Sequence, residues 1–329
     1  MPRFDVLTIG NAIVDIIAPT TDDFLARNGI IKAAMNLIDA DRAEALYAAM
    51  SQRVETSGGS AGNTAAGVAG FGGKAAYIGK VANDALGAIY DSDIEAQGVH
   101  FNTKPLIGGA PTARSMIFVS PDGERSMNTY LGACVELAPA DIDAKVVANS
   151  EVTYFEGYLW DPPRAKDAIR LAADIAHKHG RITAITLSDS FCVNRYCDEF
   201  LGLIASKTVD IVFANEDELC ALYESDFNNA VKAIGTDCAL AVVTRGEQGA
   251  IVIEGGVVTA VPARKIEKLV DATGAGDAFA AGFLFGWTKG LGGTRSAELG
   301  VLAATHVIQK IGPRADIHLG KAAKAEGLI

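Results

Sequence analysis

Positive charge is scarce in this chain. Its 329 residues carry 29 Lys and Arg against 40 Asp and Glu, a net charge of −11. A nucleic acid or an anionic membrane as main partner would want a basic stripe, so both are excluded. A small anionic ligand is not, because a few oriented amides can hold a phosphate locally. Cysteine is sparse too. Cys134, Cys192, Cys197, Cys220 and Cys238 are odd in number and scattered without a Cys-x-x-Cys, which predicts free thiols in a reducing, cytoplasmic setting. Long apolar runs are missing. Ala278–Thr288 is too short to span a bilayer and has the length of a buried helix. Val6–Val14 is bracketed by Asp5 and Asp15, without the basic start and cleavage site of a secretory signal. Familiar nucleotide fingerprints are absent as well. Gly73-Lys74 is followed by Ala75 and position 68 is Val, so no Walker A loop exists. The first strand runs into Gly10-Asn11-Ala12-Ile13 rather than Gly-x-Gly-x-x-Gly, which gives a dinucleotide fold little support. Neither His-Arg-Asp nor Asp-Phe-Gly occurs, which removes the protein-kinase reading.

Glycine, by contrast, is abundant at 35 residues, above the usual ~7%. No Gly-X-Y period accompanies it, and a hydrophobic content of 49% suits a large core. The length predicts one or two domains at about 150 residues each. With no repeat or long linker, a single domain over 1–329 is expected. From Val152 onward strand-like runs alternate with helical periods. Val152–Phe155, Ile182–Leu187, Val209–Phe213 and Leu240–Val243 read as strands. Pro163–His179, Asn194–Ile204, Glu216–Tyr223 and Phe227–Ile234 read as helices between them. This rhythm implies parallel pairing with helices on both faces. The first third differs. Ile13–Pro19, Ile31–Ile38, Ala113–Ser120 and Arg125–Tyr130 look like strands, the last two antiparallel across a Pro121-Asp122-Gly123 turn. The expectation is an α/β body and a small β layer drawn from about 13–38 and 99–131. Such a layer is placed to act as a lid that excludes water; an extra edge of the same sheet is the alternative.

The sharpest feature is Asp271-Ala-Thr-Gly-Ala-Gly-Asp277, followed by an apolar segment that stops at Lys289-Gly290. Phe279 and Phe283 are four apart, as a helix with a buried face requires. Glycines at its start let amides approach a ligand, and the helix N-terminus adds about half a positive charge. Asp277 in the first turn can be a cap. A phosphate site tolerates a neighbouring anion when that anion has work, such as accepting the proton of an attacking alcohol. A second cluster, Gly58-Gly59-Ser60-Ala61-Gly62-Asn63, enters a helix of small residues. A tight turn explains its Gly and Ala, though not Asn63.

Together the clusters resemble the paired signatures of the PfkB/ribokinase family of carbohydrate and nucleoside kinases. These are Gly-Gly-x-x-x-Asn near residue 60 and Asp-x-x-Gly-Ala-Gly-Asp near residue 275. The resemblance covers essentially the whole chain. It implies a ribokinase-like three-layer α/β/α body with a mostly parallel central sheet, a small β-sheet lid, and ATP with Mg2+. By the same resemblance Asp277 is the general base, and Gly274, Ala275 and Gly276 form the anion hole for the transferring phosphoryl. Gly59, Asn63 and the first-strand pair Asn11 and Asp15 would contact sugar hydroxyls. Asn215 and Glu218 match a motif that holds phosphate and magnesium-bound water, although acidic residues opening a helix are also ordinary caps. Thr244 and Gly246 fall at the nucleotide-binding strand and turn. Asp271 and Thr273 fall where related kinases bind an activating monovalent cation such as K+, with Gly312-Pro313 closing that loop.

Within the family, Gly-Asn-x-x-x-Asp-Ile and the segment Glu124-Arg125-Ser126-Met127 resemble the adenosine kinases. The implied reaction moves the ATP γ-phosphoryl to the 5′-OH of adenosine, giving AMP for purine salvage, with Arg125 reaching the phosphate. A ribose, fructose or keto-deoxy sugar kinase is the rival within the family. Ala272 replaces the family's usual Thr, and Phe118, Phe155 and Phe191 are the aromatics considered for a base pocket. An NAD-dependent oxidoreductase lacks its fingerprint, and a non-catalytic binding relative would lack Asp277. The expected partner is a small nucleoside or sugar; monomer and homodimer both stay open. His177, His179, Cys192, Cys197, Trp160 and Trp287 read as structural.

Overall fold

The structure, a computed structural model, describes residues 3–315 and 317–329. Among these, the first strands are β1 (Phe4–Ile9), β2 (Ile13–Pro19), β3 (Met35–Leu37), β4 (Val54–Ser57), β5 (Ala75–Ile78), β6 (Val99–Phe101), β7 (Ala113–Val119) and β8 (Arg125–Tyr130). They are followed by β9 (Ser150–Glu156), β10 (Ile182–Thr186), β11 (Ile211–Asn215), β12 (Leu240–Thr244), β13 (Ala250–Glu254) and β14 (Val257–Val261).

Nine strands form one sheet in the order β14-β13-β12-β11-β10-β9-β1-β5-β6. It is parallel from β6 across to β12 and antiparallel at β12–β13–β14. Successive residues of a strand face opposite sides. Val6, Tyr154 and Val242 therefore join one core, while their neighbours Leu7, Phe155 and Val243 join the other. All six are buried, which is why these strands read as unbroken apolar runs. Helices Pro163–Lys178, Ser190–Ala205, Glu216–Leu222 and Phe227–Asp237 make the crossovers. The second begins earlier than its periodicity suggests because the Asp189 side chain caps it at the Cys192 amide. The result is the α/β/α body expected.

The second sheet has five strands in the order β3-β8-β7-β2-β4. β7 and β8 are antiparallel, as their turn implies, and β2 runs parallel to β7. On one face Val14, Ile16, Met116 and Phe118 pack against Leu25, Leu46 and Met50 from two short helices. The register puts Ile13, Asp15, Ile17, Ser115, Met127, Thr129 and Leu37 on the other face.

The apolar run 6–14 is divided between the two sheets, with Gly10–Ala12 crossing from one to the other, as a first strand ending at Gly10 and a separate strand over Ile13–Pro19 imply. Two details differ from expectation. The strand expected over 31–38 shrinks to β3, while β4 joins the small sheet without any alternating pattern to announce it. β6 pairs with β5, burying Val99 and Phe101 in the large sheet, so the small layer resumes at Ala113 rather than at 99.

The Ala275–Thr288 helix runs through the core, with Ala278 to Gly286 buried throughout. Its small residues let the Gly292–Val307 helix pack closely: a Cβ on Gly282 would overlap the Leu299 carbonyl. Among the described residues no helix is long and apolar enough to cross a membrane.

Candidate active site

The parallel strands end together on one side of the sheet, where open α/β folds place their ligands. Thr186, Asn215 and Thr244, at the ends of β10, β11 and β12, line a cavity of about 330 Å3 that Ser60, Gly274, Gly276 and Asp277 close from the other side. The sheet lets the chain pass from β1 to β2 here. Parallel pairing of β1 with β9 sets Glu156 beside Gly10. The buried Glu156 carboxylate accepts from the Asn11 amide at 2.7 Å and the Ala61 amide at 2.9 Å. A Cβ on Gly10 would collide with that carboxylate. Burial raises Glu156 to about 7 despite these two amides.

The Ser60–Gly70 helix starts from Gly59, whose φ of +81° favours glycine and where a Cβ would overlap the Asn11 carbonyl. The turn thus brings the two halves of the sequence motif together. Ser60 donates from Oγ to Asp277 Oδ1 at 2.6 Å, and Asn63 donates from Nδ2 to Oδ2 at 3.1 Å. Asp277 opens onto the cavity, yet desolvation raises its pKa to about 6 against the lowering effect of Ser60, Asn63 and Arg314. Asp15 lies against Gly58 and is also raised to about 6, by burial first; Arg125 and Arg314 oppose the shift and Asp277 adds to it. Asn11 keeps a buried Oδ1 that has no hydrogen-bond partner among the described residues. Asn11, Asp15, Gly59, Asn63 and Asp277, drawn from across the sequence, therefore meet at one place.

Gly274 caps the Ala275–Thr288 helix with a left-handed φ of +75°, packed tightly against Pro313. The first-turn amides of Gly276 and Asp277 have no intrahelical carbonyl to bond. The Ala275 amide is turned back to the Ala272 carbonyl at 3.2 Å. Asn215 and Glu218 form a reciprocal cap: the Asn215 side chain accepts from the Glu218 amide, and Glu218 accepts from the Asn215 amide and side chain. Both still line the cavity, and burial lifts Glu218 to about 7. Thr244 lines it as well; Gly246 stands in the short turn beyond and is not among the lining residues.

Arg125 does not reach out from the small sheet into the cavity. Its Nη1 donates to Asp271 Oδ2 at 2.7 Å, a buried pair that ties the small sheet to the loop ahead of Gly274. Asp271 also accepts from the Thr273 amide at 2.9 Å and the Gly312 amide at 3.0 Å. Burial, which would raise its pKa, is outweighed by these bonds and by the guanidinium, so the carboxyl is held low. None of the three aromatics considered lines the site. Phe118 faces the core side of the small sheet beside Phe24, Phe155 is buried in the body, and Phe191 is 78% exposed. Ser60, Glu156 and Arg314 were missed. Ser60 stands inside the Gly58–Asn63 cluster, a carboxylate closing the strand Val-Thr-Tyr-Phe-Glu is a usable signal for Glu156, and Arg314 gives none.

This geometry presents a desolvated carboxylate, free first-turn amides, and polar strand ends around one cavity. A hydroxyl placed beside Asp277 could lose its proton there while the amides face an anion. Comparison with known proteins points the same way. The sequence pattern of the pfkB family carbohydrate kinases matches residues 6–319. The chain is similar to a solved adenosine kinase from Sinorhizobium meliloti, at 65% identity and a TM-score of 0.91 over 98% of this chain and 99% of that one. It is similar to a probable sugar kinase protein from Rhizobium etli CFN 42, at 61% identity and a TM-score of 0.93 over all of both chains. Among curated relatives, the adenosine kinase of Saccharomyces cerevisiae is 28% identical over 94% of this chain and 96% of that protein.

Proposed function

The chain belongs to the pfkB family of carbohydrate kinases, and from that premise we propose that it phosphorylates the 5′-OH of adenosine with ATP, giving AMP. It is a phosphotransferase with an alcohol group as acceptor. The carrying observation is Asp277, fixed by Ser60 and Asn63 at the mouth of a helix N-terminus. Asp277 takes the proton of the acceptor hydroxyl as that oxygen attacks the γ-phosphoryl. The Gly276 and Asp277 amides, with Gly274 shaping their approach, face the charge that gathers on the transferring group. Asn11, Asp15, Gly59 and the second hydrogen of the Asn63 amide hold the sugar; a carboxylate such as Asp15 accepts from two neighbouring hydroxyls at once.

A nucleoside is favoured over a free sugar by the face of the small sheet that carries Asp15. Ile13, Ile17, Met127 and Leu37 share that face, and Leu37 is 61% exposed. An aliphatic platform next to the sugar-binding carboxylate suits a flat base, in a site where no pair of aromatics was assignable from the sequence. The small sheet then serves as a lid over the sugar. Asn215 and Glu218 line the phosphate end, and a carboxylate there fits Mg2+ held through water. Bound Mg2+ neutralises charge on the phosphates. A K+ at Asp271 and Thr273 fits less well: the carboxylate already carries the Arg125 guanidinium at Oδ2 as its counter-charge, so omitting K+ should leave turnover unchanged.

The test is ADP release from Mg-ATP with adenosine, inosine, guanosine, ribose and fructose in parallel. Turnover on adenosine far above the free sugars is expected. Activity confined to ribose or fructose would keep the chemistry and overturn the nucleoside assignment.

A further inference from the structure

The C-terminal loop sends one side chain back beneath the reacting groups. Arg314 Nε donates to Asn63 Oδ1 at 3.0 Å, and Nη1 donates to Ser57 Oγ at 2.9 Å. Nη1 also stands 3.4 Å from Asp93 Oδ2, the carboxylate that accepts from the Ser57 amide and hydroxyl. A guanidinium has only hydrogens to offer. The end of the Asn63 amide that it touches must therefore be the carbonyl, and the NH2 end is left facing Asp277. Asn63 is largely buried, and both ends of its amide have side-chain partners.

We propose that Arg314 is a positioning residue for the base, holding the Asn63 amide so that its NH2 aims one hydrogen at the Asp277 carboxylate and leaves the other for the acceptor. The proposal deepens the kinase reading and rests on Asp277 being the base. Asp93 and Ser57 keep the guanidinium in place, and β4 and the Ser60–Gly70 helix are thereby clamped to the C-terminal loop. The Arg314 charge also reaches the base itself. The charged and titratable groups around Asp277 are Arg314 from the loop, Glu156, Tyr154 and Tyr158 at and beyond the end of β9, and Asp15 on β2. Arg314 is the cation of that group, and it favours the ionised base.

The test compares R314A, R314K and R314Q with the wild type and with D277N, each checked for fold by thermal unfolding and for ATP-analogue binding. R314A should lose about 10- to 100-fold in kcat, the scale of a misaligned reacting group, with a smaller rise in the KM for adenosine. Its acid limb should move to higher pH, because the base loses a cation that favours ionisation; R314K should keep the limb where it is. R314A should also change kcat little in an N63A background, since the two act in series. Should R314A fail to fold, R314K and R314Q carry the same comparison. Equal losses from the Arg314 change with and without Asn63, or an unshifted acid limb, would overturn the relay. If D277N itself keeps turnover, the base assignment fails and takes this proposal with it. If D277N is inactive while the Arg314 variants behave as wild type, only this proposal fails.

Discussion

Asp277 has two donors, one from Ser60 and one from Asn63, and is half-buried at the cavity wall, where desolvation holds its pKa up at about 6. The ionised form is the one that can accept a proton. Burial raises the folded pKa, so the working form is complete above it and is lost as pH falls. We expect kcat/KM for the acceptor to be flat near pH 8 and to drop on the acid side with a midpoint near 6. A pH–rate series from 3.5 to 8.5 checks this. A midpoint near 4, the ordinary carboxylate value, would mean that the base is solvated during turnover. Asp15 is raised to a similar value, so the limb belongs to the pair and not to one residue.

The elements that hold this carboxylate make their own predictions. The Ala275–Thr288 and Gly292–Val307 helices touch through glycine, and a methyl on Gly282 would press on the Leu299 carbonyl. Gly282→Ala should destabilise by about 1–3 kcal/mol through overpacking, read as a fall in Tm. Gly276→Ala, with nothing near its Cβ, should leave the fold intact. The small sheet is tied to the body by Arg125 and Asp271, whose side chains are only 5% and 6% exposed. Removing one partner strands the other, so Arg125→Met should cost about 3–5 kcal/mol in stability. It should also lower kcat more than it weakens adenosine binding. Denaturant titration and steady-state kinetics read the two effects. A variant as stable as wild type would show that the pair is not formed in solution.

The same elements show how far a sequence can be read. β1, β9, β11 and β12 were legible because a strand buried on both faces has to be apolar throughout. The Gly-rich turns were legible because Gly59 and Gly274 need left-handed backbone that other residues resist. β4 was not, since a four-residue edge strand carries no period. Arg125 and Asp271 are 146 residues apart, and Arg314 and Asn63 are 251 apart. Nothing local in the chain announces such pairs; they exist only because two sheets and a C-terminal loop converge.

At the scale of the whole molecule, a three-layer body supplies rigid strand ends, and a separate five-stranded sheet is tied to it through Arg125 and Asp271. The two halves of the motif, near residues 60 and 275, come from helices that pack directly on one another through Gly67 and Ala281. The carboxylate that one helix presents is thus fixed by the other, and the proposed phosphoryl transfer rests on that carboxylate taking the proton. The most direct measurement is the turnover of Asp277→Asn on adenosine and Mg-ATP, alongside its ATP-analogue affinity and Tm. With Asp277 as the base, kcat should fall by about 10²–10⁴ while affinity and Tm stay near wild type. Near-normal turnover in a folded variant would remove Asp277 from the proton transfer.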